Sequence, residues 1–294
     1  MIPAAAALVV LLAARPRPAA PARPRCDMVP IPGGTFAMGT DHGMAFEGPV
    51  HRVGVHPFWM DRCAVTNQEF ARFVAATGHR TESEKQGWSG VFDPAVGEWR
   101  PVEGADWRHP EGPSSSIAGR DDQPVVQVSW NDAEAFARWA GKRLPTEAEF
   151  EWAARGGRAG AEYAWGDTLR PGGRHMANTW QGHFPEHDEG RDGYARIAPV
   201  GRFPPNGYGL LDITGNVWEW TSDWFSEDYF RHAEGAVDPT GPASGTEKAI
   251  RGGSWMCSAN YCAGYRVAAR QHTPVDSGLN NLGFRCVKPA ASAR

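Results

Sequence analysis

The stretch RGGSWMCSANYCAGYRVAARQHTPVDSGLNNLGFRC, residues 251–286, says most about how this chain folds. It contains three of the five cysteines, and two of them, Cys257 and Cys262, are five positions apart. That spacing places two side chains on different faces of a straight helix and on opposite faces of a strand. The two thiols therefore converge only if the chain turns between them. The Ser-Ala-Asn sequence of residues 258–260 is typical of such a turn.

Two converging thiols have three uses. They can form a disulfide, bind a soft metal or act as a redox pair. Two thiolates with no fixed third ligand favour Cu(I), because this ion is soft and accepts low coordination, whereas a structural zinc site requires four ligands. No second C-x2-C motif is present, and His272 alone does not complete a ligand set. From the residues alone, a disulfide, a metal pair and two unrelated buried cysteines stay open.

The composition is that of a loop-rich protein. A chain of 294 residues can hold one or two domains. Its 35 Gly and 24 Pro are spread along the chain rather than gathered in a linker, which indicates one domain rich in loops. Thirteen Trp allow such a domain to bury area with little regular structure. The net charge of -4, with no long block of one sign, argues against a nucleic-acid or membrane-surface partner.

The amino terminus has a mixed pattern. Residues 2–14 are apolar but too short to span a bilayer, so we expect no membrane span. They resemble the apolar core of a secretory signal, and the Ala-Pro-Ala at residues 20–22 fits a cleavage pattern, although no Lys or Arg precedes the apolar run. This favours export to a periplasmic or secreted location. A cytoplasmic protein with a disordered leader is the alternative.

These signals set the expected boundaries. We expect a leader and a Pro/Ala/Arg-rich tether over residues 1–27, one domain over residues 28–288 and a short tail over residues 289–294. An odd number of cysteines leaves at least one unpaired in a monomer, and we expect a monomer. If the protein is exported, Cys26 and Cys63 are candidates for a disulfide.

Three helices are predicted by their ends. Capping boxes begin them, and glycines end them, at Thr66 with Glu69 and Gly78, at Ser129 with Asp132 and Gly141, and at Thr146 with Glu149 and Gly156. Short strand-like runs occur at residues 50–55, 124–128 and 249–251. Residues 81–120 and 156–250 lack sustained periodicity and are predicted to be irregular. Irregular structure of that length usually needs a function or a stabilising ion.

Several complete motifs occur in the same order as in the formylglycine-generating enzyme (sulfatase-modifying factor) family, which this chain resembles. The element GGS-x-x-C-x4-C at residues 252–262 and the closing NLGFRC are part of it. Upstream matches include MVPIPGGTFAMGT from Met28, the run QPVVQVSWNDAEAFARWAGKRLPTEAEFEWAARGG from Gln123, and FPPNGYGLLDITGNVWEWTSDW from Phe203. Together the matches cover nearly all of residues 28–286. The resemblance implies a single α+β domain with little regular structure, related to C-type lectins.

The resemblance implies a copper-dependent oxidase. Its reaction would convert a cysteine in a C-x-P-x-R segment of an unfolded sulfatase to formylglycine, with molecular oxygen as the oxidant. Cys257 and Cys262 would hold Cu(I), the substrate thiolate would join them, and hydrolysis of a thioaldehyde would give the aldehyde. Ser254 and Tyr261 would donate hydrogen bonds to reduced oxygen or to a thiolate. A hydroxyl that caps a turn and a core aromatic residue are the structural alternatives.

Further positions match the family's substrate groove. They are Trp88, Ser89, Trp99 and Asn281. The tryptophan that usually accompanies Trp99 is Glu98 here, and the chain is shortened between Val91 and Trp99, which affects the expected shape of the groove. A structural tryptophan and a turn-forming asparagine are the alternative interpretations.

Two oxygen-rich segments match calcium sites of the family. The first set comprises the side chains of Asn178 and Asp192 with the carbonyls of Thr179 and Tyr194. The second comprises the side chains of Asp212 and Glu219 with the carbonyls of Gly215 and Val217. Ca²⁺ prefers such mixed oxygen ligands, and loops can supply them. Without the resemblance, acidic turns would be favoured at both segments.

The copper-dependent oxidase has three alternatives. One is an enzyme of the wider superfamily that makes ergothioneine at an iron site, but the chain has no room for the helical domain which such enzymes add. The second is a non-catalytic peptide- or sugar-binding module, which would not need two cysteines at this spacing. The third is a plain dithiol oxidoreductase. Some family members also carry further disulfide cysteines where this chain has Ala137, Ala154 and Val267, so Cys286 is expected to be a small buried hydrophobic residue.

Overall fold

The computed structural model describes residues 26–290. The predicted leader and tail lie almost wholly outside these residues. The described chain contains four α-helices, three short 3-10 helices and eleven strands. The helices are α1 (Asn67–Thr77), α2 (Glu82–Gln86), α3 (Trp130–Trp139) and α4 (Glu147–Arg155). The strands are β1 (Met28–Ile31), β2 (Gly34–Met38), β3 (His51–Val55), β4 (Phe58–Asp61), β5 (Trp88–Asp93), β6 (Glu98–Glu103), β7 (Trp218–Trp224), β8 (Glu247–Arg251), β9 (Arg270–Pro274), β10 (Leu282–Gly283) and β11 (Val287–Pro289).

The three helices predicted from capping boxes are confirmed. In each, the N-cap hydroxyl accepts a hydrogen bond from the backbone N–H three residues later, and the acidic side chain there accepts one from the N-cap backbone. Gly78 and Gly156 cap α1 and α4 with left-handed backbones. Helix α3 is capped by Ala140, one residue before the predicted Gly141.

The sheets are small and mostly antiparallel. One sheet has the order β1-β4-β11, and a second has the order β10-β7-β8-β9, in which only the β10–β7 pair is parallel. Strands β2 with β3 and β5 with β6 form two further antiparallel pairs. The four-stranded sheet positions the stretch of residues 251–286, because β8 ends where the stretch begins and β9 and β10 lie within it.

Two predictions of secondary structure are wrong. Residues 124–128 form no strand: Pro124 makes one isolated bridge to Thr66, and Gln127 has a φ of 60°. The run is apolar because it is buried between neighbours, and its N–H groups donate to separate segments, at Val65 and Leu279.

The second error concerns residues 81–120, where α2 and the β5–β6 hairpin lie in a segment predicted to be irregular. Residues of β6 are almost all exposed. The strand therefore lacks the alternation of polar and apolar residues by which a strand can be predicted. Residues 156–250 likewise contain β7, whose burial on both faces removes the alternation.

The largest core cluster surrounds the four-stranded sheet. It joins aromatic residues of α1, α3 and β7 to Cys257, Tyr265 and Cys286. Beside it, Arg251 and Arg270 are fully buried and paired with the carboxylates of Glu147 and Glu151 on α4. Because breaking a buried pair leaves an uncompensated charge, this network fixes the start of the cysteine-containing stretch against α4.

Candidate active site

Close contacts of glycine backbones bring the two cysteines together. Gly253 has a φ of 74°, and a Cβ placed on it would lie 2.5 Å from the carbonyl carbon of Gly264. A Cβ on Gly264 would in turn lie 2.8 Å from Cys257 Sγ. The segment after Cys262 therefore folds back onto the segment before Cys257, at a separation that only glycine allows.

The predicted turn between the cysteines is confirmed. The N–H groups of Tyr261 and Ala263 both donate to the carbonyl of Ser258, at 3.2 and 3.0 Å. Cys257 and Cys262 are joined as a disulfide, with their Cα atoms 5.4 Å apart. Cys257 is fully buried, whereas Cys262 is partly exposed. The sequence therefore predicted correctly that two sulfurs meet, and one of them is reachable from solvent.

Ser254 and Asn281 meet beside Cys257. The backbone N–H of Ser254 donates to Cys257 Sγ at 3.4 Å, and Asn281 Nδ2 donates to Ser254 Oγ at 3.1 Å. Both residues are buried. Asn281 was predicted to contact substrate in the groove, and the structure places its side chain behind Ser254 instead of on the surface.

Tyr261 lies on the rim of the site. Its side chain is 54% exposed and stacks on Phe184, with the ring centroids 4.2 Å apart. Asn260 holds Phe184 from the other side of the turn, since its Oδ1 accepts from the Phe184 N–H at 3.3 Å and its Nδ2 donates to the Phe184 carbonyl at 3.1 Å. Tyr261 is thus presented to solvent on a fixed support.

The β5–β6 hairpin continues this aromatic surface. Phe184 stacks on Phe92 at 5.2 Å, and Phe92 meets Trp99 edge-on at 5.6 Å. In the hairpin register Phe92 pairs with Trp99 and Trp88 with Glu103, so Trp88 and Trp99 share one face of the hairpin. Trp88 is 46% exposed and Trp99 39% exposed. We name the line of Trp99, Phe92, Phe184 and Tyr261 the aromatic groove.

Ser89 is placed differently from the groove tryptophans. It lies on the opposite face of the hairpin and is buried, and its hydroxyl contacts Gln127 Oε1 at 2.6 Å and the carbonyl of Gly278 at 2.9 Å. Its position therefore supports the hairpin rather than lining the exposed face.

Phe92, Phe184 and Asn260 were missed as site residues. The motif ANTWQGHFP from Ala177 contains Phe184, but nothing in its residue types marks an aromatic ring as part of a groove. Only the contact between distant segments, at residues 92, 184 and 261, reveals it.

The donor set at the cysteine pair fits Cu(I). After reduction, two thiolates would face one another across a short turn, with one side partly open and no hydrogen bond from either sulfur to a carboxylate or histidine of the described chain. Such a soft and sparse set of ligands suits Cu(I) better than Zn²⁺ or Ca²⁺. Across residues 26–290, no group of three or more His, Cys, Asp or Glu side chains could hold a metal ion.

The first predicted calcium segment brings its residues together around Asp192. The N–H groups of Thr179 and Tyr194 donate to the two oxygens of this carboxylate, at 3.0 and 2.9 Å. Gln181 Nε2 contacts both Asp192 Oδ2 and the carbonyl of Thr179. Asn178 Oδ1 is buried and has no hydrogen-bond partner. A carboxylate, a carbonyl and a buried orphan amide oxygen form a chemically suitable set for Ca²⁺.

The second predicted segment contains two buried carboxylates. Burial raises the pKa of Asp212 to about 6, and its Oδ1 has no hydrogen-bond partner. Burial also raises the pKa of Glu219, against the opposing charge of Arg285, whose guanidinium binds both Glu219 oxygens at 2.7 Å. Asp212 therefore offers a free oxygen to a cation, whereas Glu219 is already neutralised by an arginine.

The two segments that are predicted to bind calcium contact each other. The Asn216 N–H donates to the Asn178 carbonyl at 2.9 Å, and Asn178 Nδ2 donates to Asn216 Oδ1 at 2.9 Å. A Cβ on Gly215 would lie 2.6 Å from the Asn178 carbonyl oxygen. Asn178 also lies two residues before Trp180, whose N–H donates to the Cys257 carbonyl. Order in the calcium segments is thereby linked to the backbone of the cysteine pair.

The other cysteines are accounted for. Cys26 and Cys63, which the sequence offered only as candidates for a pair, form a disulfide. Cys286 is a free thiol and fully buried, and burial raises its pKa well above the ordinary value, so it behaves as the expected small hydrophobic residue. No helix within the described part of the chain is long and apolar enough to cross a membrane.

A cavity of about 360 Å³ lies under the turn between the cysteines. Ser258, Ala259 and Asn260 form one wall, and Trp180, His175 and Arg170 contribute to the other walls. The turn between the cysteines therefore borders this cavity through Ser258, Ala259 and Asn260 and the aromatic groove through Tyr261.

The fold and the site define a class of protein. It is a single loop-rich α+β domain with a cysteine pair beside a row of aromatic side chains. The model of the family described as "Sulfatase-modifying factor enzyme 1-like domain" matches residues 14–290. The chain belongs to this family, whose curated members include enzymes named formylglycine-generating enzyme.

Individual similarities agree with this assignment. The chain is 52% identical over 296 residues to the formylglycine-generating enzyme of Streptomyces coelicolor, covering 95% of this chain and 94% of that protein. It is 43% identical over 284 residues to a bovine protein named inactive C-alpha-formylglycine-generating enzyme 2, covering 90% and 88%. Among solved structures, PvdO from Pseudomonas aeruginosa superposes with a TM-score of 0.66 at 28% identity, covering 90% of this chain and 94% of PvdO.

Proposed function

We propose that this protein converts a cysteine in a C-x-P-x-R segment of unfolded sulfatases to formylglycine, using Cu(I) and molecular oxygen. The observation that carries the proposal is the meeting of Cys257 and Cys262 at the end of the aromatic groove. The names of relatives at about half identity support the same conversion. A similar protein is named as inactive, so the fold alone does not carry the proposal.

The chemistry begins with reduction of the Cys257–Cys262 disulfide to two thiolates. Cu(I) held by these thiolates would supply one-electron chemistry toward oxygen and an open position for a third sulfur. In the overall oxidation the substrate CH2–SH group loses two electrons and two protons to give a thioaldehyde. Oxygen accepts them together with two electrons and two protons from an added dithiol, the same reductant that opens the disulfide, and is reduced to two waters. Water then replaces sulfur as hydrogen sulfide and leaves the aldehyde.

The chain's own residues would bind and orient the substrate. Tyr261 and Trp99 mark the two ends of the aromatic groove, which suits an extended peptide containing proline. Ser254 is buried beside Cys257. From there its hydroxyl would donate to a sulfur or to reduced oxygen. Since Cys257 is buried and Cys262 partly exposed, the substrate sulfur would approach from the Cys262 side.

The direct test is conversion of a peptide. Reduced, Cu(I)-loaded protein incubated in air with a C-x-P-x-R peptide should give an aldehyde, read by mass spectrometry and oxime trapping. Cys257→Ser and Cys262→Ser should each abolish the product. Cys286→Ala is the matched control, because it removes a buried cysteine that is not part of the pair, and it should retain turnover.

The outcomes separate the candidate functions. Full turnover by Cys257→Ser would exclude the copper oxidase. Dithiol oxidation that persists after copper chelation would identify a plain dithiol oxidoreductase. Peptide binding without conversion, by protein shown to contain copper, would identify a binding module. Absence of product under argon and its return in air would establish that oxygen is the oxidant.

A further inference from the structure

The Ser254 hydroxyl has both of its acceptor sites filled. Its Oγ accepts from Asn281 Nδ2 at 3.1 Å and from the Met256 N–H at 3.3 Å. A serine hydroxyl has two lone pairs and one proton. With both lone pairs used, the proton is left to donate, and no acceptor among residues 26–290 receives it. Ser254 also donates its backbone N–H to Cys257 Sγ, so the hydroxyl lies in the immediate surroundings of that sulfur.

Asn281 is rigidly held and only half satisfied. The Trp218 N–H donates to the backbone carbonyl of Asn281 at 2.8 Å. Asn281 immediately precedes Leu282, the first residue of β10, which pairs with β7. The side chain is buried, and its Oδ1 has no hydrogen-bond partner. A buried oxygen without a partner has lost its hydrogen bonds to water and gained none in return, which is unfavourable. An apolar side chain of similar size would avoid that cost, so a purely structural role does not explain asparagine here.

We propose that Asn281 is a positioning residue, whose amide holds Ser254 so that the serine hydroxyl donates toward the Cys257–Cys262 pair. The inference deepens the proposed function. It replaces the groove contact predicted for Asn281, since the side chain lies behind Ser254 and not on the groove surface. A hydroxyl fixed in this way would stabilise sulfur in its reduced form and would be in place for the oxidation step without reorganising.

The first measurement needs neither copper nor a sulfatase peptide. The Cys257–Cys262 pair of copper-free protein is equilibrated in glutathione redox buffers, and its oxidised fraction is read by mass spectrometry of the peptide that contains both cysteines. Asn281→Leu is nearly isosteric, carries no charge and cannot donate. It should shift the equilibrium toward the disulfide by a factor of about ten, equivalent to about 30 mV for a two-electron couple.

A double-mutant cycle tests whether Asn281 acts through Ser254. Ser254→Ala should give a similar shift, and adding Asn281→Leu to Ser254→Ala should give no further shift. The matched control is Asn67→Leu. Asn67 is also buried and also donates through Nδ2, but its acceptor is the Arg120 carbonyl, and none of its hydrogen bonds involves residues 254–262. This control should leave the equilibrium unchanged.

Turnover supplies the second measurement. In Cu(I)-loaded enzyme, Asn281→Leu should lower kcat by about 10- to 100-fold and leave KM for the peptide within about twofold, as expected for loss of one directed donor. A rise in KM with unchanged kcat would overturn the proposal in favour of a groove contact. A full additional shift of the redox equilibrium in the Ser254→Ala background would also overturn it. If no variant or wild type makes formylglycine, the redox cycle still decides the role of Asn281.

Discussion

At the scale of single residues, the site depends on positions where a side chain is absent as much as on those where one is present. Gly253 and Gly264 allow two backbone segments to touch, and that contact sets the separation of Cys257 and Cys262. In the proposed function the cysteines would supply the reactive atoms, and glycines with no chemistry of their own bring these cysteines together. Any Cβ at Gly264 would enter the space of Cys257 Sγ.

The sequence identified the reactive residues better than their surroundings. The spacing of the cysteines and the turn residues between them correctly predicted convergence, because these are local features. Local features could not reveal that Ser89 and Asn281 are buried, since burial is decided by segments far away in the chain. The same limitation explains why Phe92 and Phe184 were missed.

One prediction at this scale concerns a carboxyl group outside the site. Asp223 is fully buried, and burial, followed by the negative charge of Glu147, raises its pKa to about 7. Lys248 is the cation that faces it, and the Glu147 N–H and Ser222 hydroxyl donate to it. Below about pH 4 both folded and unfolded states hold the proton, whereas between pH 4 and 7 only the folded state does. Stability contributed by this group is therefore lost as the pH rises through that window.

Replacing the group should remove this dependence. Asp223→Asn should gain free energy of unfolding relative to wild type by about 1.4 kcal/mol for each pH unit between 4 and 7, and the gain should level off above pH 7. Urea unfolding at several pH values measures it. Asp276→Asn, at an exposed position, is the control and should differ from wild type by a constant amount. If the difference in free energy of unfolding between Asp223→Asn and wild type did not change with pH, the pKa of this carboxyl group would be the same in the folded and unfolded states.

At the scale of elements, the helices could be predicted and most strands could not. A capping box with a glycine stop is complete within a dozen residues, so α1, α3 and α4 could be located from sequence. The strands of this protein are short, and their pairing partners are distant, as in β1 with β4 or β10 with β7. Apolar runs such as residues 124–128 are equally compatible with a buried loop, which is what forms.

The β5–β6 hairpin gives the prediction at this scale. Its exposed tryptophans extend the aromatic groove away from the cysteines, so they should contribute to peptide binding and little to the oxidation itself. Trp99→Ala should raise KM for a C-x-P-x-R peptide about tenfold, with kcat changed less than about twofold. Steady-state kinetics over a range of peptide concentrations measures both constants.

The control uses a tryptophan of similar exposure. Trp59 on β4 is 36% exposed and pairs with Pro30 and Lys288, outside the groove. Trp59→Ala should leave KM unchanged. A decrease in kcat for Trp99→Ala, with KM unaltered, would mean that the hairpin acts on the reaction step and not on peptide binding.

At the scale of the whole molecule, much of the domain is held together without regular structure. The Gly, Pro and Trp content predicted one loop-rich domain and the family resemblance implied the α+β class, and the structure has small sheets joined by long connections. Composition reports such averages well. It cannot report which distant segments pack together, and the order of the strands in each sheet is set by those contacts.

The Cys26–Cys63 disulfide should stabilise the domain measurably. It joins residues 37 positions apart and fixes the segment before β1 to the segment after β4. Closing a loop of this size restricts the unfolded chain and contributes about 3–4 kcal/mol. The double variant Cys26→Ser/Cys63→Ser should lose about that free energy of unfolding in chemical denaturation. Cys286→Ala breaks no disulfide. It should therefore lose less free energy of unfolding than the double variant.

The connection between α4 and β7, residues 156–217, is the longest part of the described chain without a strand or an α-helix. Both proposed calcium segments lie within it or at its end, and they bond to one another through Asn178 and Asn216. A bound ion would supply the order that regular hydrogen bonding does not. If these segments bind Ca²⁺, saturation at 100 times the dissociation constant should stabilise the folded state by about 2.7 kcal/mol.

Removal of calcium should therefore lower the Tm of the wild-type protein by several degrees, and added Ca²⁺ should restore it. Asp192→Asn should reduce the response, because Asp192 is the carboxylate around which the first segment gathers. Asp121→Asn, at an exposed position elsewhere, should respond as wild type does. Differential scanning fluorimetry with EGTA, Ca²⁺ or Mg²⁺ measures these shifts. Because Trp180 joins this connection to the Cys257 backbone, chelation should also slow peptide conversion, and an unchanged Tm in EGTA would contradict the calcium proposal.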